Sequence, residues 1–281
     1  MASPGLRRRV EALPGQPLPN GLLNPGSVTI IDVAPEDGHE LLGVDWLPQG
    51  CCDAHCWEDC PPGESGSPGE RQQKLFCAPE WHTAPPVTVY SGVECSTIGW
   101  GYDEAVTQAR TALQLGQQRA LEQWVWTNIL APRAIDRTPA SGPVGIPQAM
   151  GLLEGWLAVD YGGVGVVHVP AAAGPLLCAH NQIRREAGGR MRTCASGHHV
   201  IVGGGYQVNT GPDGQPAPEG TVWLAISGPV VVRREAIQVV PGTDKESVRI
   251  STNDRMVLAE RNFVVQVSCA VEMVLACLDC C

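Results

Sequence analysis

Between Asp103 and Asn128 apolar residues return at helical spacing with no proline to interrupt them: Val106, Ala109, Leu113, Ala120, Leu121, Trp124 and Val125. About 26 residues of helix make a rod of roughly 39 Å, where an average helix has about 11 or 12 residues. Such a rod is too long to sit inside a small domain and stiffens whatever is built along it. Asp103 and Glu104 suit the positive end of its dipole. Arg110, Gln114, Gln118 and Glu122 fall mostly elsewhere around the wheel.

Around this rod the pattern is that of an α+β chain. The 281 residues are 43% hydrophobic and 17% charged, enough for a sizeable core. Residues 1–86 lack sustained periodicity apart from a short strand at Val28–Ile31. Prolines and glycines punctuate the rest, which reads as an extended arm needing a surface to lie on. After Pro85-Pro86, alternating Val87, Val89 and Val93 predict a strand leading into the rod, and residues 87–145 form one unit with the loop that follows. Pro147 at a first helical turn opens a second helix through Met150, Leu153, Trp156 and Leu157 that stops at Gly162-Gly163. Val164–Val169 is apolar on both faces, as a buried central strand is. A glycine- and proline-interrupted helix is expected over Pro170–Glu186, then strands at His199–Val202, Val222–Ile226 and Val230–Val232, making 146–240 an α/β unit. In 241–281 a period of two from Met256 to Leu278 predicts one long or bent strand.

The net charge of −10 argues against a nucleic-acid binder as a whole, because phosphate contacts need clustered cations. The basic run is Arg7, Arg8, Arg9, a solvated tail or an arm touching packaged polyanion. Twelve cysteines pull two ways. Their density suits a metal site or an oxidising compartment, while residues 1–20 lack the apolar stretch of an export signal. Cys52, Cys56, Cys60 and Cys77, with His55 nearby, are zinc candidates, although no clean CxxC pair is present. Cys51, Cys52, Cys56, Cys60, Cys77, Cys95, Cys178, Cys194, Cys269, Cys277, Cys280 and Cys281 are all disulfide candidates. The ordinary reading of His168, His180, His198 and His199 near Cys178 and Cys194 is that of core and surface residues, so no catalytic residue is assigned. Gly203-Gly204-Gly205 lacks a phosphate-loop pattern and reads as a turn. No stretch is apolar enough for a membrane helix.

From about Val87 to Leu278 this order of elements resembles the shell-forming fold shared by tailed-bacteriophage major capsid proteins and encapsulin compartments. Asp103–Asn128 looks like its spine helix. Pro147–Tyr161, Val164–Pro170 and Ala171–Ala187 look like the helix, strand and helix of its axial domain. Leu258–Leu275 is similar to its long peripheral strand, with Glu260, Phe263 and the pair Val264-Val265 carrying the likeness. The resemblance implies a virion structural protein and not an enzyme, made in the host cytoplasm and assembling with itself as pentamers and hexamers around phage DNA. Its partners would be portal, decoration or scaffold proteins, with packaged DNA touched non-specifically and no membrane. No cofactor is implied. The cysteine-rich stretch Cys51–Cys77 departs from the fold's general form, and with lysine confined to Lys74 and Lys245 no lysine crosslinking is carried over. The alternatives are a zinc- or disulfide-stabilised head or tail adaptor or decoration protein, and an encapsulin-like compartment. Encapsulins lack such an arm.

Overall fold

Proline and glycine divide the chain into short elements, and the computed structural model describes residues 15–24, 26–50, 52, 54, 76–78, 80–187 and 189–279. It begins with β1 (Thr29–Asp32), a 3-10 turn at Pro35–Leu42, and the short strands β2 (Val44–Trp46) and β3 (His82–Ala84), which pair antiparallel. β4 (Pro86–Ser96) alternates inward Val87, Val89 and Val93 with exposed Thr88, Tyr90 and Glu94, as its period of two requires. Then comes α1 (Tyr102–Val125), whose 24 residues span about 36 Å. Glu104 accepts the Gly101 N–H at 3.0 Å and so caps its start. The helical path outlasts its expected end, running through a π-helical turn at Trp126–Leu130 into α2 (Ala131–Arg133). That wider turn rotates the helix face enough to bury Trp126, Ile129 and Leu130 together.

Two-residue strands β5 (Ile135–Asp136) and β6 (Val144–Gly145) lead to α3 (Ile146–Asp160), which starts and stops close to its prolines and glycines. β7 (Val166–Pro170) is buried at every position, as its apolar run predicts. The helix expected over Pro170–Glu186 is cut to α4 (Gly174–Ala179), and β8 (Ile183–Arg185) takes the remainder, pairing with β9 (Met191–Thr193). The physical reason lies in Asn181, which adopts a left-handed conformation and turns the chain back. β10 (His199–Gly203), a 3-10 turn at Gly205–Val208, β11 (Thr221–Ser227) and β12 (Val230–Arg234) follow. β13 (Gln238–Val240), α5 (Asp244–Ser247), β14 (Val248–Arg249), β15 (Asp254–Val267) and β16 (Val271–Cys277) end the described chain.

The strands form two main sheets. In the first, β1, β12 and β15 lie side by side, β4 pairs along the other edge of β15, and β13 and β14 fill the rest of the β12 side. The second runs β5, β16, β11, β7, β10, β9, β8, with β6 also on β16. The single strand expected from Met256 to Leu278 is therefore two, broken at Ser268–Ala270 and shared between the sheets. Its partner breaks at the same level: Gly228 donates to Ala270 O and Ser268 to Pro229 O, each at 3.1 Å. A Cβ on Gly228 would lie 2.5 Å from that of Ser268, so the bend needs glycine there. One ribbon thus carries both sheets, and α1 lies along the first, packed on β4 and β15. α3 covers β16 and β11 of the second. One core lies between α1 and both sheets, taking Val89, Val257 and Phe263 from the first and Ile201, Ala225 and Met273 from the second; the other lies between α3 and the opposite face of the second sheet.

Candidate functional site

Chemistry-bearing side chains gather where the spine helix meets the second sheet. Glu122 and Gln118, polar residues that fall mostly away from the apolar stripe of α1, are buried. What covers them is the arm. Gln118 donates to Leu18 O at 3.0 Å, Val202 donates to Asn20 O at 2.8 Å, and Leu22 N–H donates to Glu122 Oε1 at 3.0 Å. The other carboxylate oxygen accepts Gly205 N–H at 2.9 Å. Burial pushes the Glu122 carboxyl above its ordinary range, and the backbone donors from Gly205, Leu22 and Gly204 only partly offset it. Gly203-Gly204-Gly205 is more than a turn. A Cβ on Gly205 would sit 2.1 Å from Arg119 O, and one on Gly203 would sit 2.9 Å from the Glu122 carboxylate. Bare backbone lets the loop press against the helix.

Tyr206 carries this node into the second sheet. Its ring packs 5.3 Å from Trp126, and its hydroxyl lies 3.0 Å from His168 Nδ1 on β7. His168 Nε2 meets Ser227 Oγ of β11 at 2.9 Å, and that hydroxyl donates on to Gly228 O at 2.9 Å. Desolvation lowers the His168 pKa to about 3, so the imidazole is neutral, and burial followed by the Glu122 charge raises Tyr206 well above its ordinary value. All these groups are shut away from solvent. The arrangement joins arm, spine and sheet; it offers no surface to a substrate.

A second node closes the other end of that sheet. Arg137 donates to Glu272 at 2.7 Å and to Asp160 at 2.6 Å while stacking 3.8 Å over the Trp156 ring. The hydrogen bond to Glu272 raises the Arg137 pKa. Glu272 itself is raised, because burial and nearby Asp160 outweigh the guanidinium. Arg137, Asp160 and Glu272 border a cleft of about 280 Å³.

The cysteines divide. Cys52 and Cys77, two of the zinc candidates, form a disulfide, and Cys269 and Cys277 are disulfide-bonded as well. Cys95 faces the first core as a free thiol, while Cys178 and Cys194 are free and exposed. Arg7, Arg8, Arg9, Cys51, His55, Cys56, Cys60, Cys280 and Cys281 lie outside the described residues. Among the described residues no group of three or more His, Cys, Asp or Glu side chains could hold a metal, and no helix is long and apolar enough to cross a membrane. Neither exposed thiol shares a hydrogen bond with a histidine among the described residues. His198 Nδ1 accepts Gly165 N–H at 3.0 Å, and His180 stands in solvent. Sequence reasoning missed Glu122, Tyr206, Ser227, Arg137 and Glu272. The legible signal was Glu122 itself, an acid directly after Leu121 and three residues before Val125.

No protein-family model matches the chain, and no curated protein does. Solved structures do. The capsid of the empty GTA particle aligns with 97% of this chain and 100% of its own, at TM-score 0.50 and 13% identity. The capsid of the native GTA particle covers 99% and 94%, at TM-score 0.52 and 11% identity. A structure from Microbacterium phage Oxtober96 covers 98% and 95%, at TM-score 0.52 and 12% identity.

Proposed function

From a chain that has the shell fold of tailed-phage capsid proteins, we propose a virion structural protein, the major capsid protein of a tailed phage. One observation carries the reading: the likeness runs through both sheets and the spine helix, over nearly the whole of this chain and of the capsid chains it matches. The subunit assembles with itself into pentamers and hexamers around phage DNA, through repeated contacts that close because each copy is turned by a fixed angle. Its role is structural. The buried nodes support this, since Glu122, Tyr206 and His168 spend their polar groups on holding arm, spine and sheet in one rigid body. In the assembled shell the acidic surface faces outward, and Arg7, Arg8 and Arg9 reach packaged DNA without reading its sequence.

The test is sedimentation and negative-stain microscopy of the purified chain. Closed icosahedral particles with rings of five and six are the expected outcome. A monodisperse monomer that persists at high concentration refutes the reading.

A further inference from the structure

β4 is an 11-residue strand that, among the described residues, pairs on one edge only, against β15. The direction of its free groups follows from two hydrogen bonds. Thr97 N–H donates to Asn253 O at 3.3 Å, which continues the β4–β15 register and places odd-numbered residues of this stretch toward β15. Asn262, opposite Thr88, uses its backbone on the other side, accepting Glu235 N–H at 3.3 Å. Backbone groups alternate in direction along an antiparallel strand. Thr88, Tyr90, Gly92, Glu94 and Ser96 therefore aim their N–H and C=O groups away from the sheet, and no described residue bonds to them.

Exposed edges are commonly guarded by lysine, by bulges or by brevity, because a bare edge recruits another strand. β4 is long, carries neither Lys nor Arg, and has Glu94 as its one charge. At the opposite end of the same sheet, β1 also has no strand on its outer edge among the described residues. Val33 N–H donates to Arg234 O at 2.8 Å on β12, so Ile30 and Asp32 of β1 point their backbone groups outward.

We propose that β4 receives the outer edge of β1 from a neighbouring copy, so that the first sheet continues from one subunit into the next. This rests on the shell reading and specifies one of its contacts. Joining unlike edges head to tail leaves each copy with one edge of each kind to offer, which is the heterologous geometry that builds rings. Pairing β4 with β4 about a two-fold axis would close at two copies and leave β1 unused.

Gly92→Pro and Ile30→Pro each remove one outward N–H and leave the ladders to β15 and β12 intact. A Cβ at Gly92 meets nothing closer than 3.8 Å, so Gly92→Ala serves as the control. In sedimentation, each proline variant alone is expected to stay a folded subunit with particle yield down severalfold, while Gly92→Ala assembles. Mixed in equal amounts, the two proline variants form dimers through their intact edges and stop there. In wild-type chain, the Thr88, Tyr90, Gly92 and Glu94 amides slow their hydrogen exchange on assembly, a readout that holds even if a proline variant fails to fold. Particles formed by Gly92→Pro at wild-type yield, or fast exchange at these amides inside particles, overturn the pairing and leave the shell reading standing. Loss of assembly in Gly92→Pro with normal assembly of Ile30→Pro overturns the choice of β1. A wild-type chain that never assembles overturns both.

Discussion

Replacing Glu122 by Gln keeps the side chain's shape and removes one of its two acceptors. In the native node Oε1 accepts Leu22 N–H at 3.0 Å and Oε2 accepts Gly205 N–H at 2.9 Å. Glutamine offers a single oxygen, so one of those buried donors faces an NH₂ group, an orphaned contact that costs about 1–3 kcal/mol. Part of this is offset because the variant no longer buries a charge. We expect a net loss of about 1–2 kcal/mol near neutral pH, with each kcal/mol lowering Tm by roughly 2–4 °C. The pH dependence is the sharper readout. The folded-state pKa of Glu122 lies above its ordinary value of 4.5. Over the window between the two, the folded state holds a proton that the unfolded chain has released, so wild-type stability falls as pH rises through it. Gln has no such proton. In urea unfolding of the subunit, the wild-type advantage over Glu122→Gln should narrow from about pH 5 upward and then level off. Equal stability with equal pH slopes, or an advantage that widens with pH, would show that Glu122 does not clamp the arm and the glycine loop as described.

Arg137→Ala strands Glu272, whose side chain is 1% exposed, and should cost about 3 kcal/mol by thermal unfolding; Arg137→Lys keeps the charge but not the fork over Trp156 and should lose less. For His168, with its pKa lowered from 6.5 to about 3, the unfolded chain takes the proton first as pH drops. Stability is full above the unfolded value and is lost as pH falls toward the folded one, and His168→Gln should remove that component from acid titrations followed by near-UV circular dichroism. Gly205→Ala would place a Cβ 2.1 Å from Arg119 O and 2.5 Å from Gln123 N, both backbone atoms that cannot turn aside. A loss of about 3 kcal/mol is expected in urea unfolding, against a gain of up to about 1 kcal/mol for Gly116→Ala on the open side of α1, where alanine is the better helix former.

The spine helix, the strand at β4, the helix opened by Pro147 and the buried strand β7 were all readable from local period and from proline and glycine punctuation. Each depends on residues a few positions apart, and such patterns survive whatever the rest of the chain does. The failures share a different cause. The expected helix over Pro170–Glu186 was cut short by a left-handed Asn181, and β8 found its place only because β9 lies beside it. The run from Met256 to Leu278 kept its alternation yet split between two sheets, because β11 and β12 bend at the same level.

By itself, the sequence determined an α+β chain organised on one long helix, preceded by a proline-rich arm and followed by a strand-forming end. Tertiary structure alone decided which polar residues matter. Glu122 looks solvated on a helical wheel, since a wheel knows only its own helix; Leu22 and Gly205, 100 and 83 residues away along the chain, turn it into a buried clamp. The same holds for the free edge of β4. Alternation announces a strand, but which of its backbone groups remain unpaired is settled by the neighbours that arrive, and by the side on which none does.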